Sequence, residues 1–344
     1  MSWSPFFVAM GNPLLDMQLT GEAAHEMLTK YALKPNDAVL AEGKQNEIYE
    51  DLRKNYKVTY VAGGAAQNCA RGAQYVLPNN STAYLGAVGK DDLADQLRAA
   101  NEKEGLASYY QVVEDKPTGA CAVIITGHDR SLCTTLGAAE SFSPSHLDTP
   151  KVKSLIDNAK FFYLGGFFLT HGLESALKLA KLAVQNDKPF TMNLSAPFIP
   201  QFFKSQLDQI LPYVSILIGN EAEAESYALS HDWENPKEIK SVALKLSQIE
   251  SKTNKKGRIV VITQGSEQTI VAKEGKIQLF NVAKLDESKI VDTNGAGDAF
   301  AGGFLGAYAS GKSLEESIEV GHRLGAMNVQ LIGPTFKFPK EKVM

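Results

Sequence analysis

The chain has 344 residues, of which 44% are hydrophobic and 22% are charged, and its formal net charge is −4. At roughly 100–200 residues per domain, this length permits two or three domains, or one large α/β domain with a smaller appendage. The acidic balance argues against nucleic acid and anionic membranes as partners, because both require a basic protein face. Three cysteines without Cys-x-x-Cys spacing predict neither a disulfide framework nor a zinc site.

Two further absences in the sequence bear on location. No stretch reaches the roughly 18 apolar residues that a transmembrane helix needs. The first residues, Met1–Met10, lack the basic region of a signal peptide. Together with the cysteine content, these features predict a cytoplasmic protein without a membrane partner.

Short β-rich runs alternate with amphipathic helical patterns, which is typical of a mainly parallel sheet with helices on both faces. The predicted strands are Phe6–Met10, Val58–Ala62, Thr82–Val88, Phe161–Leu164, Phe190–Leu194, Ser215–Ile218 and Arg258–Thr263. The predicted helices include Ala65–Val76, Leu93–Glu104, Gly172–Asn186 and Ile239–Ile249. Asn235-Pro236 predicts an N-cap and first helical residue for the last of these, and Ser313 with Glu316 predicts a capping box.

Two regions, residues 36–42 and 108–126, carry strand-like runs that no helix follows. We predict that they form a small β lid over one edge of the main sheet. Gln268–Phe280, with a turn at Glu274-Gly275, predicts a hairpin. The predicted main α/β domain comprises residues 1–16, 60–107 and 141–344, and the discontinuous lid comprises residues 17–59 and 108–140.

The most informative stretch is Asp292-Thr-Asn-Gly-Ala-Gly-Asp298, where a strand-like run turns directly into a helical pattern. Gly295 and Gly297, on either side of Ala296, allow backbone N–H groups at a helix N-terminus to face a phosphoryl group. Asp298 could accept a proton from an attacking alcohol, for which a weak base is sufficient. A helix dipole favours the same acidic residue in any protein, and it predicts a lowered pKa for Asp298.

Two nucleotide-binding patterns near this stretch fail on their context. Gly295 begins a dinucleotide-like fingerprint, but Phe300 stands where the third glycine belongs, and the pattern lies far from a first βαβ unit. Gly306–Ser313 matches the P-loop pattern formally, but the residues before it are helical in pattern instead of strand-like. Ser310-Gly-Lys312 therefore predicts a turn between two helices.

Polar residues and glycines follow three other predicted strands. Gly63-Gly64 would let a ligand approach the backbone, although a plain tight turn has the same pattern. Asp16 lies beyond the carboxyl edge of the first strand and suits a vicinal diol, although a solvated loop acid is the simpler local interpretation. Asn220 and Glu223 share a helix face and suit a hydrated Mg²⁺, although an N-cap followed by acids explains them more simply.

Taken together, these stretches resemble the ribokinase family of carbohydrate kinases. The resemblance rests on Gly11–Asp16, Ala62–Asn68, Thr126–Leu132, Gly166–Thr170, Asn193–Phe198, Asn220–Glu223, Thr263–Gly265, Asp292–Asp298 and Gly321-His322. It implies a ribokinase-like α/β fold with a β lid. The shortness of the predicted lid favours a monomer. The stretches Asn12–Asp16 and Asn193–Phe198 narrow the resemblance to members that transfer the γ-phosphate of ATP, with Mg²⁺, to the 5′-hydroxyl of adenosine in purine salvage.

The resemblance also implies roles for individual residues. Asp298 would be the base, Gly295, Ala296 and Gly297 the anion hole, and Arg130 a clamp on the phosphoryl group. The nucleoside would be held by Asn12, Asp16, Leu40, Gly63, Gly64, Asn68, Cys121, Leu132, Leu136, Phe168 and Asn294, with Phe168 stacked on adenine and the leucines forming an apolar slot. ATP and Mg²⁺ would be met by Asn193, Asn220, Glu223 (to Mg²⁺ through water), Thr263, Gly265, Asn294 and His322.

The sequence departs from the family pattern at Ala65-Ala66 and at His171, which we expect to vary without effect on the catalytic roles. Two other functions are compatible with these patterns. One is a kinase of free sugars with the same fold, against which Phe168 and the apolar slot argue. The other is a non-catalytic protein that binds purine nucleosides, against which Asp298 and its glycines argue.

Overall fold

A computed structural model describes residues 5–35, 37–127, 129–253 and 257–344. Its main sheet has nine strands in the order β14-β13-β12-β11-β10-β9-β1-β5-β6. Neighbours from β12 to β6 pair in parallel, whereas β13 and β14 are antiparallel. The strands are β1 Phe7–Met10, β5 Thr82–Gly89, β6 Ala107–Val113, β9 Phe161–Gly165, β10 Phe190–Asn193, β11 Ile216–Asn220, β12 Ile259–Thr263, β13 Thr269–Lys273 and β14 Lys276–Phe280.

A second sheet has five strands in the order β3-β8-β7-β2-β4. They are β2 Leu14–Leu19, β3 Ala38–Leu40, β4 Thr59–Gly63, β7 Ala120–Thr126 and β8 Asp129–Thr135. We call it the lid sheet. Because β2 begins four residues after β1 ends, and β4 ends just before the helix at Ala65, the lid sheet is connected directly to the main sheet.

Helices cover both faces of the main sheet. Alternate residues of its strands point to opposite sides, and the apolar side chains on each side are buried against helices. The helices packed on the side of Phe7 are α3 Ala65–Val76, α4 Asp92–Glu104 and α11 Ala296–Ala309, with α12 Leu314–Asn328 against α11. Those on the side of Val8 are α5 Pro150–Asn158, α6 Leu173–Gln185, α8 Lys204–Ile210, α9 Glu221–Ser230 and α10 Ile239–Gln248. The short helix α7 spans Phe198–Phe202, while α1 Glu22–Lys30 and α2 Ile48–Asn55 pack on the lid sheet.

Helices α3 and α11 cross at glycines. A Cβ atom added to Gly302 would lie 2.4 Å from the carbonyl oxygen of Cys69, and one added to Gly72 would lie 3.2 Å from the Cα of Gly302. No larger residue fits at this crossing without moving the helices apart. The backbones therefore approach closely, one turn beyond Asn68 on α3 and one turn beyond Asp298 on α11.

Most elements agree with the sequence-based expectation within two residues. The mainly parallel sheet with helices on both faces, the small second β sheet, the capping box of Ser313 and the hairpin at Glu274-Gly275 are confirmed. The turn between α11 and α12, which excludes the P-loop, is confirmed as well. The predicted N-cap at Asn235 is wrong, because Asn235 has a left-handed φ of 54° and its carbonyl accepts from the N–H of Glu238, so α10 begins only at Ile239.

Two strands belong to a different sheet from the one predicted, and a third strand was not predicted. Ala107–Val113 belongs to the main sheet and not to the lid, because α4 carries the chain from β5 to a parallel partner at the sheet edge. Thr59–Gly63 pairs in the lid sheet. Leu14–Leu19 is a lid strand that was not predicted, because Gly11–Asp16 was interpreted as a ligand-binding loop after the first strand. The residue boundaries of the two domains stay a prediction.

Within the described residues, we find no helix with the length and apolar character needed to span a bilayer.

Candidate active site

The glycine-rich turn that opens α11 is shaped to face a ligand. Gly295 is the N-cap with a left-handed φ of 82°, and a Cβ atom there would lie 2.8 Å from Pro334. A Cβ atom added to Gly297 would meet nothing within 4 Å. The N–H of Ala296 makes only a long bond of 3.3 Å to the carbonyl of Thr293. The first turn of α11 thus presents backbone N–H groups and the positive end of a helix dipole to open space.

Asp298 lies in this turn and contacts helix α3. The Nδ2 of Asn68 donates a hydrogen bond of 3.1 Å to Oδ2 of Asp298. Burial raises the pKa of Asp298 from 3.8 to about 7, although this hydrogen bond opposes the shift. The expectation of a lowered pKa was wrong, because the loss of water around the half-buried carboxylate outweighs the helix dipole. A carboxylate with a pKa near 7 is well matched to accept a proton at neutral pH.

Behind Asn68 lies a buried cation that the sequence analysis missed. Arg71 is 3% exposed and forms a two-bond ion pair with Glu104, at 2.7 and 2.8 Å. Its Nη1 also donates to the carbonyl of Ala62 at 2.7 Å and lies 3.5 Å from Oδ1 of Asn68. These contacts orient the amide of Asn68 so that its Nδ2 points to Asp298. An arginine one turn after Asn68 in a helix of small residues was the available sequence signal.

The double glycine is explained by two close approaches. A Cβ atom on Gly63 would lie 2.2 Å from Oδ1 of Asp16, and one on Gly64 would lie 2.2 Å from the carbonyl of Asn12. Gly64 also has a left-handed φ of 88°. Burial raises the pKa of Asp16 to about 7, while the positive charge of Arg71 lowers it. Asp16, Asn12 and the glycines therefore form one compact polar group at the base of the lid sheet.

The predicted apolar slot lies on the same face of the lid sheet as Asp16. Leu40 pairs with Thr134, Thr134 with Cys121, and Cys121 with Asp16, so that one row crosses four strands. Residues in register across a sheet point to the same face. Thr134 also donates a hydrogen bond of 3.2 Å to the sulfur of Cys121. Leu132 precedes Thr134 by two residues on β8 and therefore shares that face, whereas Leu136 follows the end of the strand.

Phe168 is placed differently from the open aromatic face that stacking requires. Its side chain is 0% exposed, and its ring meets those of Phe142 and His171 edge-on, at centroid distances of 5.6 and 5.0 Å. The Nε2 of His171 in turn lies 2.9 Å from Oδ1 of Asn12. Stacking of Phe168 on a purine stays a prediction, and it requires the ring to be uncovered.

The predicted nucleotide side begins at the end of β11. Asn220 caps α9 in a reciprocal capping box with Glu223, whose carboxylate accepts from the backbone N–H of Asn220 at 3.0 Å and from its Nδ2 at 3.1 Å. Burial and the charge of Asp298 raise the pKa of Glu223 to about 7, although the bond from the Asn220 N–H opposes the shift. Thr263, the last residue of β12, pairs with Asn220, the last residue of β11. Gly265 follows with a φ of 57°, and a Cβ atom added there would meet nothing within 4 Å.

The remaining predicted residues occupy the rim of the same sheet edge. Asn193 ends β10, and its Oδ1 accepts from the hydroxyl of Ser195. The N–H of Asn294 donates to Asp292 at 2.9 Å, and Asp292 also forms an ion pair of 2.5 Å with Arg130. Arg130 lies on β8, so this pair connects the lid sheet to the glycine-rich turn.

His322 lies on α12, outside this rim. Its Nε2 lies 2.8 Å from the hydroxyl of Thr269, and burial lowers its pKa. A neutral imidazole is therefore the form expected at neutral pH.

Comparison with known proteins identifies the family. Residues 25–341 match the family described as pfkB family carbohydrate kinase. The chain belongs to this family.

Individual pfkB kinases agree with the chain over nearly its whole length. Adenosine kinase from Schizophyllum commune is 53% identical over 339 residues, which cover 97% of this chain and 98% of that protein. The structure of Anopheles gambiae adenosine kinase in complex with P1,P4-di(adenosine-5) tetraphosphate has a TM-score of 0.89 at 39% identity, covering 96% of this chain and 97% of the other. Schistosoma mansoni adenosine kinase in complex with 2-fluoroadenosine has a TM-score of 0.89 at 33% identity, with 98% of each chain covered. The predicted resemblance and the predicted enzyme class are confirmed.

The residues on the nucleotide side fit a Mg²⁺ ion that is bound mainly by phosphates. Among the described residues, no group of three or more His, Cys, Asp or Glu side chains is arranged to hold a metal. Mg²⁺ at kinase sites needs only one or two carboxylates, because phosphate oxygens and water complete its shell. The charge of Asp298 raises the pKa of Glu223, so a cation close to Glu223 would be favourable.

Proposed function

We propose that this pfkB kinase transfers the γ-phosphate of ATP to the 5′-hydroxyl of adenosine, giving AMP and ADP. The observation that carries the proposal is the 3.1 Å bond between Asn68 and Asp298, because it joins the residues proposed to hold ribose to the proposed base. The adenosine kinases of similar sequence support the choice of nucleoside. The row of lid-sheet side chains from Leu40 to Asp16 supports it further, since it combines an apolar slot with an acceptor for a diol.

In the proposed reaction, Asp298 accepts the proton of the 5′-hydroxyl as the oxygen attacks the γ-phosphorus. The backbone N–H groups of Gly295, Ala296 and Gly297 stabilise the charge on the transferring phosphoryl group. Catalysis then depends mainly on positioning, since the loose transition state of phosphoryl transfer needs proton acceptance only late. Arg130 would clamp the phosphoryl group after exchanging its partner Asp292 for phosphate oxygens.

The proposed nucleoside contacts divide by chemistry. Asp16 accepts from the ribose hydroxyls, with Asn12, Asn68 and the backbone of Gly63-Gly64 beside it. The apolar slot of Leu40, Leu132, Leu136 and Cys121 takes the purine, and Phe168 stacks on it once uncovered. Leu40 is 58% exposed on the lid strand, so a bound purine would gain most by covering it.

The proposed nucleotide contacts are Asn193, Asn220, Glu223, Thr263, Gly265, Asn294 and His322. When bound, Mg²⁺ would neutralise charge on the β- and γ-phosphates, with Glu223 meeting it through water. The carboxylate of Glu223 is held by Asn220, so its oxygens are fixed before any nucleotide arrives. We also propose a lid domain that closes over adenosine, a monomer, and a cytoplasmic location.

A coupled assay of ADP release tests the proposal. The purified protein is given Mg-ATP with adenosine, inosine or ribose in parallel, and the product is identified by chromatography. The proposed function predicts turnover with adenosine and formation of AMP. Turnover with ribose but not with adenosine would favour a sugar kinase, and adenosine binding without turnover would favour a nucleoside-binding protein.

A further inference from the structure

We propose that His171 is a positioning residue that orients the side-chain amide of Asn12 so that its Nδ2 donates to a ribose hydroxyl of adenosine. The inference rests on the proposed function, because it assumes a nucleoside in the cleft. It assigns a role in substrate binding to a residue that we expected to vary without effect on the catalytic roles.

The contact joins two segments at the same edge of the main sheet. Asn12 follows β1 and His171 follows the short helical segment after β9, and β1 and β9 are parallel neighbours. The Nε2 of His171 lies 2.9 Å from Oδ1 of Asn12. Because a carboxamide oxygen only accepts hydrogen bonds, the proton of the imidazole belongs on Nε2.

The ring of His171 is held neutral and in one orientation. Burial lowers the pKa of His171 to about 4, so the imidazole has a single N–H at neutral pH, and that N–H is used on Asn12. The edge-on contact with Phe168 fixes the plane of the ring. Its Nδ1 is buried without a partner among the described residues. An unpaired buried acceptor is unfavourable for folding. We attribute the presence of this imidazole, despite that cost, to its role in orienting Asn12.

Fixing the oxygen of Asn12 leaves its Nδ2 as the group that faces a ligand. Within the described part of the chain, this nitrogen donates to no protein acceptor. The backbone carbonyl of Asn12 lies against Gly64, which brings the residue into the polar group that contains Asp16. A ribose hydroxyl that donates to Asp16 keeps lone pairs that can accept from Asn12. Asp16 would thus accept the hydrogen bond that the hydroxyl group donates, and Asn12 would donate to the hydroxyl oxygen.

The test compares three substitutions of His171 in the full chain. His171→Leu and His171→Phe remove the donor, and Phe retains a flat ring against Phe168. His171→Gln retains an N–H donor at similar reach. For the donor-free variants we expect the KM for adenosine to rise on the order of 3- to 10-fold with kcat nearly unchanged, and for Gln a KM close to that of the wild type.

Two analogues separate orientation of Asn12 from general packing. With 2′-deoxyadenosine or 3′-deoxyadenosine, whichever lacks the contacted hydroxyl, the rise in KM should disappear, because Asn12 then has nothing to donate to. A rise that is equal for adenosine and both analogues, or a Gln variant as impaired as Phe, would overturn the inference. An unchanged KM for adenosine in the Phe variant would overturn it too.

Controls keep the outcome separate from the proposed function and from folding. His231→Leu removes another half-buried imidazole. His231 lies at the end of α9 that is remote from Glu223, and its ring is hydrogen-bonded to Asp208. This variant should leave the KM for adenosine unchanged. Should His171→Leu fail to fold, the comparison of Phe with Gln decides alone. Absence of adenosine turnover in the wild type would refute the proposed function, whereas wild-type turnover without the predicted KM pattern would refute only the role of His171.

Discussion

Replacing Asp298 with Asn removes one negative charge from the first turn of α11 and leaves the shape of the side chain almost unchanged. In the folded chain, burial raises the pKa of Asp298 from 3.8 to about 7. Since one pKa unit corresponds to about 1.4 kcal/mol, ionisation of this side chain destabilises the folded state by at most about 4 kcal/mol. The figure is an upper limit because solvent reaches part of the carboxylate.

This destabilisation has a definite direction with pH. A carboxyl group whose pKa is higher in the folded chain contributes stability that is fully present below the unfolded pKa and is lost as the pH rises through the folded value. We therefore expect Asp298→Asn and the wild type to be nearly equally stable at about pH 4 and the variant to be the more stable at about pH 8. Its kcat should nevertheless fall by about 10²- to 10⁴-fold or more, because the proposed base is lost.

Urea unfolding at both pH values, monitored by far-UV circular dichroism, measures the stability difference. Coupled ADP release measures kcat, and Asp298→Ala serves as a control for lost packing. A stability difference of the same size at both pH values would refute the burial argument. An unchanged kcat would exclude Asp298 as the base, whatever the stability results.

Three further substitutions test other parts of the site. Asp16→Ala should raise the KM for adenosine by about 10- to 150-fold with a smaller effect on kcat, because a charged acceptor of the ribose hydroxyls is lost, and steady-state kinetics with a normal KM would contradict the assignment. Arg71→Met should lower the free energy of unfolding by about 3–5 kcal/mol in urea, because Glu104 keeps its charge without a partner, and adding Glu104→Gln should recover part of the loss. Gly64→Ala should lower the melting temperature more than Gly265→Ala, since both have positive φ but only Gly64 has an atom 2.2 Å from the added Cβ.

The main sheet could be predicted from sequence because its strands are continuous apolar runs such as Phe161–Gly165, buried on both faces. The assignment of strands to sheets was less accurate. Thr59–Gly63 and Ala107–Val113 have similar composition, yet one pairs with Leu14–Leu19 and the other with Thr82–Gly89. Such pairing is set by partners distant in the chain, which a local pattern does not contain.

The sequence analysis named single residues for the site but did not identify the contacts between them. Asp298 was identified from its glycines, but the direction of its pKa shift was wrong, because the dipole is local to the helix and desolvation comes from the surrounding fold. Arg71 and His171 were missed as partners of Asn68 and Asn12. The contact of His171 with Asn12 connects segments whose proximity follows only from the order of strands in space, whereas Arg71 and Asn68 are one turn apart on α3 and their spacing is visible in the sequence.

Because α3 and α11 cross in the core, the packing there sets the distance between Asn68, which is proposed to hold the ribose, and Asp298, the proposed base. Asn68 and Asp298 each lie four residues before a crossing glycine, Gly72 and Gly302, so the gap between the two helices sets the distance across which they meet. A side chain at Gly302 would push the two helices apart and so change this distance without altering any residue in the cleft.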